Sequence, residues 1–152
     1  MSDWSAVGFF CDDIRQELNN IDSLIGVLPD NVAVPSVPVM MPKLGIYTRI
    51  HLVATNTDVK RISVRADFFD GAHHQELGAF DEEAVALEKA SAAKKGAPVI
   101  GFIFRAMLSP LQIPKYGRVR LWARINDDEF LCGSLNFEPS FAANSSASRP
   151  TS

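Results

Sequence analysis

Arg118-Val119-Arg120-Leu121-Trp122-Ala123-Arg124-Ile125 decides the fold class. Val119, Leu121, Ala123 and Ile125 recur at every second position, and Arg118, Arg120, Trp122 and Arg124 fill the places between. Successive side chains of extended backbone point to opposite sides, so this period describes a strand with one buried and one outward face. A helix would spread the same residues around its circumference.

Two more stretches repeat the pattern. Across Leu44 to Leu52, the residues Leu44, Ile46, Ile50 and Leu52 share a face with Thr48, and Tyr47, Arg49 and His51 point away. From Arg61 to Phe68, the inward set is Ile62, Val64, Ala66 and Phe68, with Ser63, Arg65 and Asp67 outward. Turn residues join such runs into hairpins. Asn19-Asn20 separates the run from Val7 to Leu18 from Ile21 to Leu28, and Asp70-Gly71 precedes Ala72 to Phe80. Asn126-Asp127-Asp128 leads from the Arg118 strand into Phe130 to Phe137. Asn, Asp and Gly accept the positive φ that tight turns need. The expected fold is therefore all-β: a two-layer antiparallel β-sandwich, immunoglobulin-like or C2-like, of about seven or eight strands with one short helix.

That helix is expected over Asp81 to Gly96. Asp81 suits the N-cap, Glu82 and Glu83 the first turn, Lys94 and Lys95 the last, and Gly96 the stop. Only Val85 and Leu87 are large and apolar, so it should lie on the surface. The run Val99 to Leu108 is apolar on both faces, which calls for a cover on the second one, either this helix or another copy of the chain. Pro29 to Pro42, with Pro35 and Pro38 inside it, is expected to cross between sheets as irregular chain. Residues 1–138 are expected to form one sandwich domain and 139–152 a disordered tail rich in Ala, Ser and Asn.

At 152 residues, 47% hydrophobic and 22% charged, the composition is that of an ordinary globular domain. No run approaches the roughly 20 apolar residues of a membrane helix, and Asp3 stands where a secretory leader would be basic, so a cytoplasmic location is expected. Cys11 and Cys132 lie in separate apolar runs and are expected to be reduced core thiols. The net charge of −3 argues against a nucleic-acid partner. Charge is unevenly spread, however. Asp3, Asp12, Asp13, Glu17, Asp22 and Asp30 face only Arg15 in the first segment, whereas Arg105, Lys115, Arg118, Arg120 and Arg124 meet no acid between Pro98 and Ile125. Segments so charged form cross-strand pairs when they fold side by side.

Cys11-Asp12-Asp13-Ile14-Arg15, then Leu24-Ile25-Gly26-Val27, then the Val-Pro-rich run into Pro42-Lys43-Leu44 resemble a family of small, uncharacterised bacterial proteins, a domain of unknown function. The likeness covers mainly the first third of the chain and implies no site residues. Tyr116-Gly117-Arg118-Val119-Arg120-Leu121 and the later Leu131-Cys132-Gly133-Ser134-Leu135 are similar to the closing hairpin of immunoglobulin-like sandwiches.

No nucleophile elbow and no phosphate-binding loop is found, which lowers the expectation of an enzyme. Adjacent His73 and His74 would point to opposite sides of a strand and so could not meet at one ion. The acidic groups at Asp12, Asp81 and Asp127 do not have the spacing of a dedicated calcium loop. No cofactor and no metal is therefore expected. The candidate site is the outward row Arg118, Arg120, Trp122 and Arg124, joined by Tyr47, Arg49 and Arg65 if their strands share its sheet. Arginines flanking an aromatic suit an anionic partner through bidentate and cation–π contacts. The expected function is a noncatalytic protein-binding or assembly module whose partner is another protein or, as a homodimer, a second copy. The alternatives are a small-ligand binder or enzyme with a site at one end of the sandwich, and a calcium-dependent membrane-binding module.

Overall fold

The computed structural model describes residues 3–56 and 58–140. Its strands are β1 (Trp4–Gln16), β2 (Asp22–Val27), β3 (Asn31–Val34), β4 (Val39–Met41), β5 (Leu44–Val53), β6 (Ile62–Phe68), β7 (His73–Phe80), β8 (Val99–Leu108), β9 (Leu111–Ile113), β10 (Gly117–Ile125) and β11 (Asp128–Pro139). One α-helix, α1 (Glu82–Lys95), lies between β7 and β8.

Two sheets carry the core, one ordered β2-β1-β5-β8 and the other β3-β11-β10-β6-β7. Alternation places their inner faces as the sequence requires. Leu44 and Ile46 of β5 meet Ala66 and Phe68 of β6, Val119 and Leu121 of β10, and Leu135 and Phe137 of β11. Further along, Ile50 and Leu52 meet Val64, Ala123, Ile125, Phe102 and Phe104. Fully burying each large aliphatic or aromatic side chain contributes about 1.5–3 kcal/mol, so this shared core holds the layers together. Thr48 is the inward polar residue of β5; its Oγ1 is buried without a hydrogen-bond partner among the described residues.

The two open sides are closed differently. At one, β1 and β11 approach closely at Gly8 and Gly133: a Cβ on Gly8 would lie 2.7 Å from Leu121 Cδ1, and one on Gly133 would lie 3.2 Å from the Gly8 carbonyl. At the other, α1 places Val85 and Ala92 in the same cluster as Ile100, Phe102 and Phe104. Its ends follow the expected chemistry. The Asp81 side chain accepts from Ala84 N at 2.8 Å, and Gly96 takes the left-handed φ of 64° that closes the last turn. Because α1 packs on the inward residues of β8, it does not cover the outward ones. Val99 and Met107 remain exposed, so the helix is not the expected cover.

All the strands read from alternation are present, and the described residues form eleven because β3, β4 and β9 add to them. These three are short and pair across long sequence separations. β3 runs parallel to the end of β11, an exception to the expected antiparallel pattern, and β4 forms a small ribbon with β9. β3 and β4 each show only one alternation, Val32 with Val34 and Val39 with Met41 inward, too short among the prolines to stand out as a period, which is why Pro29 to Pro42 reads as irregular chain. The turns follow their residues: Asn19, Asn20, Asp70 and Asn126 all have positive φ. Of the expected tail, Pro139 pairs with Val34, and 141–152 lie outside the described residues.

Candidate binding face

Sheet membership divides the expected site. Tyr47 and Arg49 belong to β5 in the four-stranded sheet, whereas Arg65, Arg118, Arg120, Trp122 and Arg124 belong to β6 and β10 of the five-stranded one. Both sets point outward, and outward from opposite layers means back to back. Tyr47 is moreover buried, beside Phe9 and Arg105 in the register. The outward face of the five-stranded sheet thus keeps five of the seven.

On that face the pairing of β6 with β10 sets Trp122 beside Arg65 and Arg120 beside Asp67. Arg65 reaches across β10, its guanidinium 5.5 Å from the centre of the Trp122 ring, to grip Glu129 of β11. Nε donates to one carboxylate oxygen at 3.2 Å and an Nη to the other at 2.7 Å. Its remaining Nη donates to Asp67. Asp67 also accepts from Trp122 Nε1 at 3.0 Å and is hydrogen-bonded to His74 Nδ1. Burial pushes the Asp67 carboxyl up, but the His74 hydrogen bond and the Arg65 charge outweigh it and hold it below the usual carboxylate range. The Arg65 hydrogen bond likewise lowers Glu129, and Glu129 in turn raises Arg65.

Arg65 and Trp122 are therefore fixed by their own sheet, and three other arginines are not. Arg124 approaches Asp127 only to 3.8 Å, beyond hydrogen-bonding reach. Arg118 and Arg120 have no carboxylate within 4.0 Å among the described residues. Beside Trp122 in the register stands Leu131, exposed on β11. The face combines a locked centre with a flank of unpaired positive charge and apolar surface.

Asp67, His74 and Glu129 are site residues that sequence reasoning missed. Asp67 had a signal, because it shares the outward face of one strand with Arg65. Glu129 is hidden when Asn126-Asp127-Asp128 is read as the turn, because the loop is only Asn126-Asp127 and Glu129 already pairs with Arg124 on the outward face. His73 and His74 do point to opposite faces, His73 stacking on Phe68 with ring centres 5.6 Å apart.

Elsewhere, a depression of about 320 Å³ lies between Phe68, Phe69, His73, Leu108, Pro110 and Leu111. Its walls carry no carboxylate and no Ser or Cys beside a base, the pairing that acid–base or nucleophilic chemistry needs. Cys11 and Cys132 are free. Burial pushes both thiols up, Cys132 to about 11, so neither is a thiolate near neutral pH. Among the described residues no group of three His, Cys, Asp or Glu is placed to hold a metal ion, and no helix is long and apolar enough to cross a membrane.

No curated protein matches the chain. A family model does, over residues 6–137, from β1 into the end of β11, so that both sheets and the whole candidate face lie within the match. The chain belongs to this family, a family of unknown function designated DUF6941.

Proposed function

We propose that the protein is a noncatalytic binding module that holds an acidic segment of a partner protein against the outward face of its five-stranded sheet. The observation that carries this reading is the pair Arg118 and Arg120, in line with Trp122 on a central strand and without carboxylate partners among the described residues. Side chains two apart on a strand are spaced by about 7 Å, the repeat at which an extended partner presents alternate residues. Arg suits carboxylates because its planar fork donates two parallel hydrogen bonds. The locked Arg65 and Trp122 supply a rigid floor, so little ordering accompanies binding. Two free thiols fit a reducing compartment, which supports reading the module as cytoplasmic.

Fluorescence anisotropy with a labelled peptide of alternating Glu and Ser tests this reading. The full chain should bind it, with affinity falling as salt screens the charges over about 8 Å. Replacing Arg118 and Arg120 by Ala should weaken binding by about tenfold or more, the scale of two charge-assisted hydrogen-bonding groups. Equal affinity of the double variant and the wild type would remove the face from consideration.

A further inference from the structure

At the end of this face, where β10 turns into β11, the outward row Arg124, Ser63, Ala79 runs across β10, β6 and β7. Two small side chains beside a long one leave a depression of about 240 Å³, with Arg61 and Arg124 on its rim together with Asp127, Glu76 and Asp81. Asp127 is highly exposed, and its Oδ1 stands 3.9 Å from Arg61 and 3.8 Å from Arg124, between two guanidinium groups and hydrogen-bonded to neither.

The corner that presents these groups is rigid. Asn126 takes a positive φ of 55°, and its backbone N donates to the Arg61 carbonyl at 2.9 Å. Its side-chain oxygen accepts from Lys60 N at 2.8 Å and Arg61 N at 3.2 Å, and its side-chain amide donates to the Asp58 carbonyl at 2.9 Å. The turn and the segment before β6 are thereby held as one piece. The backbone positions of the two arginines are thus set at a fixed spacing, and the acid between them is loosely held.

Glu76 also has no cationic partner among the described residues. The depression has positive charge at Arg61 and Arg124, and carboxylates at Glu76 and Asp81. Its volume is below the roughly 300–1,000 Å³ typical of small-molecule pockets, which favours side chains of a docked segment over a metabolite.

Building on the binding face proposed above, we infer that this depression is its specificity site, taking an acidic side chain of the partner between Arg61 and Arg124, in the place Asp127 holds, and a basic side chain two positions along the same extended segment at Glu76. Asp127 is the resident acid that the incoming carboxylate displaces. The partner segment therefore mixes acidic and basic residues. A purely acidic one satisfies the arginines and is repelled by Glu76 and Asp81.

Anisotropy with two labelled peptides, repeats of Glu-Ser and repeats of Glu-Ser-Lys-Ser, whose charged side chains all fall on one face of an extended chain, tests this on the full chain. The Glu-Ser-Lys-Ser peptide should bind more tightly, and Glu76→Gln should abolish the preference. Asp127→Asn should tighten binding of both by up to roughly fivefold, the equivalent of the surface ion-pair scale that displacement no longer has to overcome. A misfolded variant cannot produce a gain of this kind. Arg61→Ala with Arg124→Ala should weaken both peptides by about tenfold. If the Glu-Ser peptide binds through Arg118 and Arg120, yet Asp127→Asn and the Arg61 and Arg124 replacements leave both affinities unchanged, the specificity site is overturned and the face stands. If neither peptide binds the wild type, both readings fall.

Discussion

The two outward faces of this sandwich begin from the same alternation and treat their exposed residues in opposite ways. On the five-stranded sheet the centre is a network of Arg65, Glu129, Asp67, His74 and Trp122, flanked by arginines without close partners. On the four-stranded sheet, Val7, Phe9, Val53, Val99 and Met107 stand exposed, and the main charged contact ties the chain to itself: Arg105 of β8 grips Asp22 at the start of β2. One face uses charge to build a platform, and the other uses it to fasten its own hairpin. Outward charge thus has no single meaning, and what decides is whether each group already has its counterion.

The largest expected effect lies at that fastening. Arg105 Nε and an Nη donate to the two oxygens of Asp22 at 2.8 and 2.7 Å, and the Asp22 side chain is only 6% exposed. Arg105→Ala leaves a nearly buried carboxylate without its partner. Because Arg105 is itself partly exposed and its removal admits water to Asp22, the loss is that of a charge-assisted pair at the surface rim, about 2–3 kcal/mol. Urea unfolding measures it, and the pairing of Asp22→Ala with Arg105→Ala should cost less than the sum of the two. Strict additivity would mean the contact fastens nothing.

This pair also marks how far the sequence could be read. The acid-rich first segment and the arginines after Pro98 lead one to expect cross-strand pairing, and Asp22 with Arg105 does join these segments, although β2 and β8 are not neighbours in the sheet. Inward and outward faces were legible for the same reason, since Val64, Leu121 and Ile50 are fully buried where a period of two puts them. Which outward faces share a sheet was not legible. That follows from strand order, and the segment between β5 and β6 carries the chain from one layer to the other. Alternation is blind to this, so it groups Tyr47 and Arg49 with arginines that stand on the opposite side. The network around Arg65 depends on the two-residue loop Asn126-Asp127 that pairs Glu129 with Arg124, a tighter turn than Asn126-Asp127-Asp128 suggests. β3, β4 and β9 each carry only a single alternation, too short to stand out as a period.

On the platform face the expected loss is smaller, because Asp67 keeps its hydrogen bonds to Trp122 and His74 when Arg65 is removed and Glu129 is open to water. Arg65→Ala removes the hydrogen bonds to Glu129 and Asp67 together and should cost about 2 kcal/mol. Acid titration sharpens the comparison. Asp67 and Glu129 are both held below their ordinary values in the fold, so the unfolded chain takes up their protons first as pH falls. The stability they confer is complete at neutral pH, starts to decline around pH 4, and is lost as pH passes below their folded values. Arg65→Ala should flatten that acid slope. An unchanged slope in urea midpoints measured across the acid range would show that the network is not what makes the face acid-sensitive.

The smallest effect on stability, and the sharpest contrast with Arg105, belongs to Arg118 and Arg120. Each projects from β10 without a close carboxylate among the described residues, so truncation removes solvated side chain and no ion pair. Surface changes of this kind stay within about 0.5 kcal/mol. Relief of repulsion among Arg118, Arg120 and Arg124 can even offset the lost packing of their aliphatic stems. The double Ala variant should therefore unfold at the wild-type urea midpoint. A loss above about 1 kcal/mol would mean that these arginines hold the sheet together, as Arg105 holds its hairpin, because an arginine free to receive a partner has no counterion in its own fold to lose.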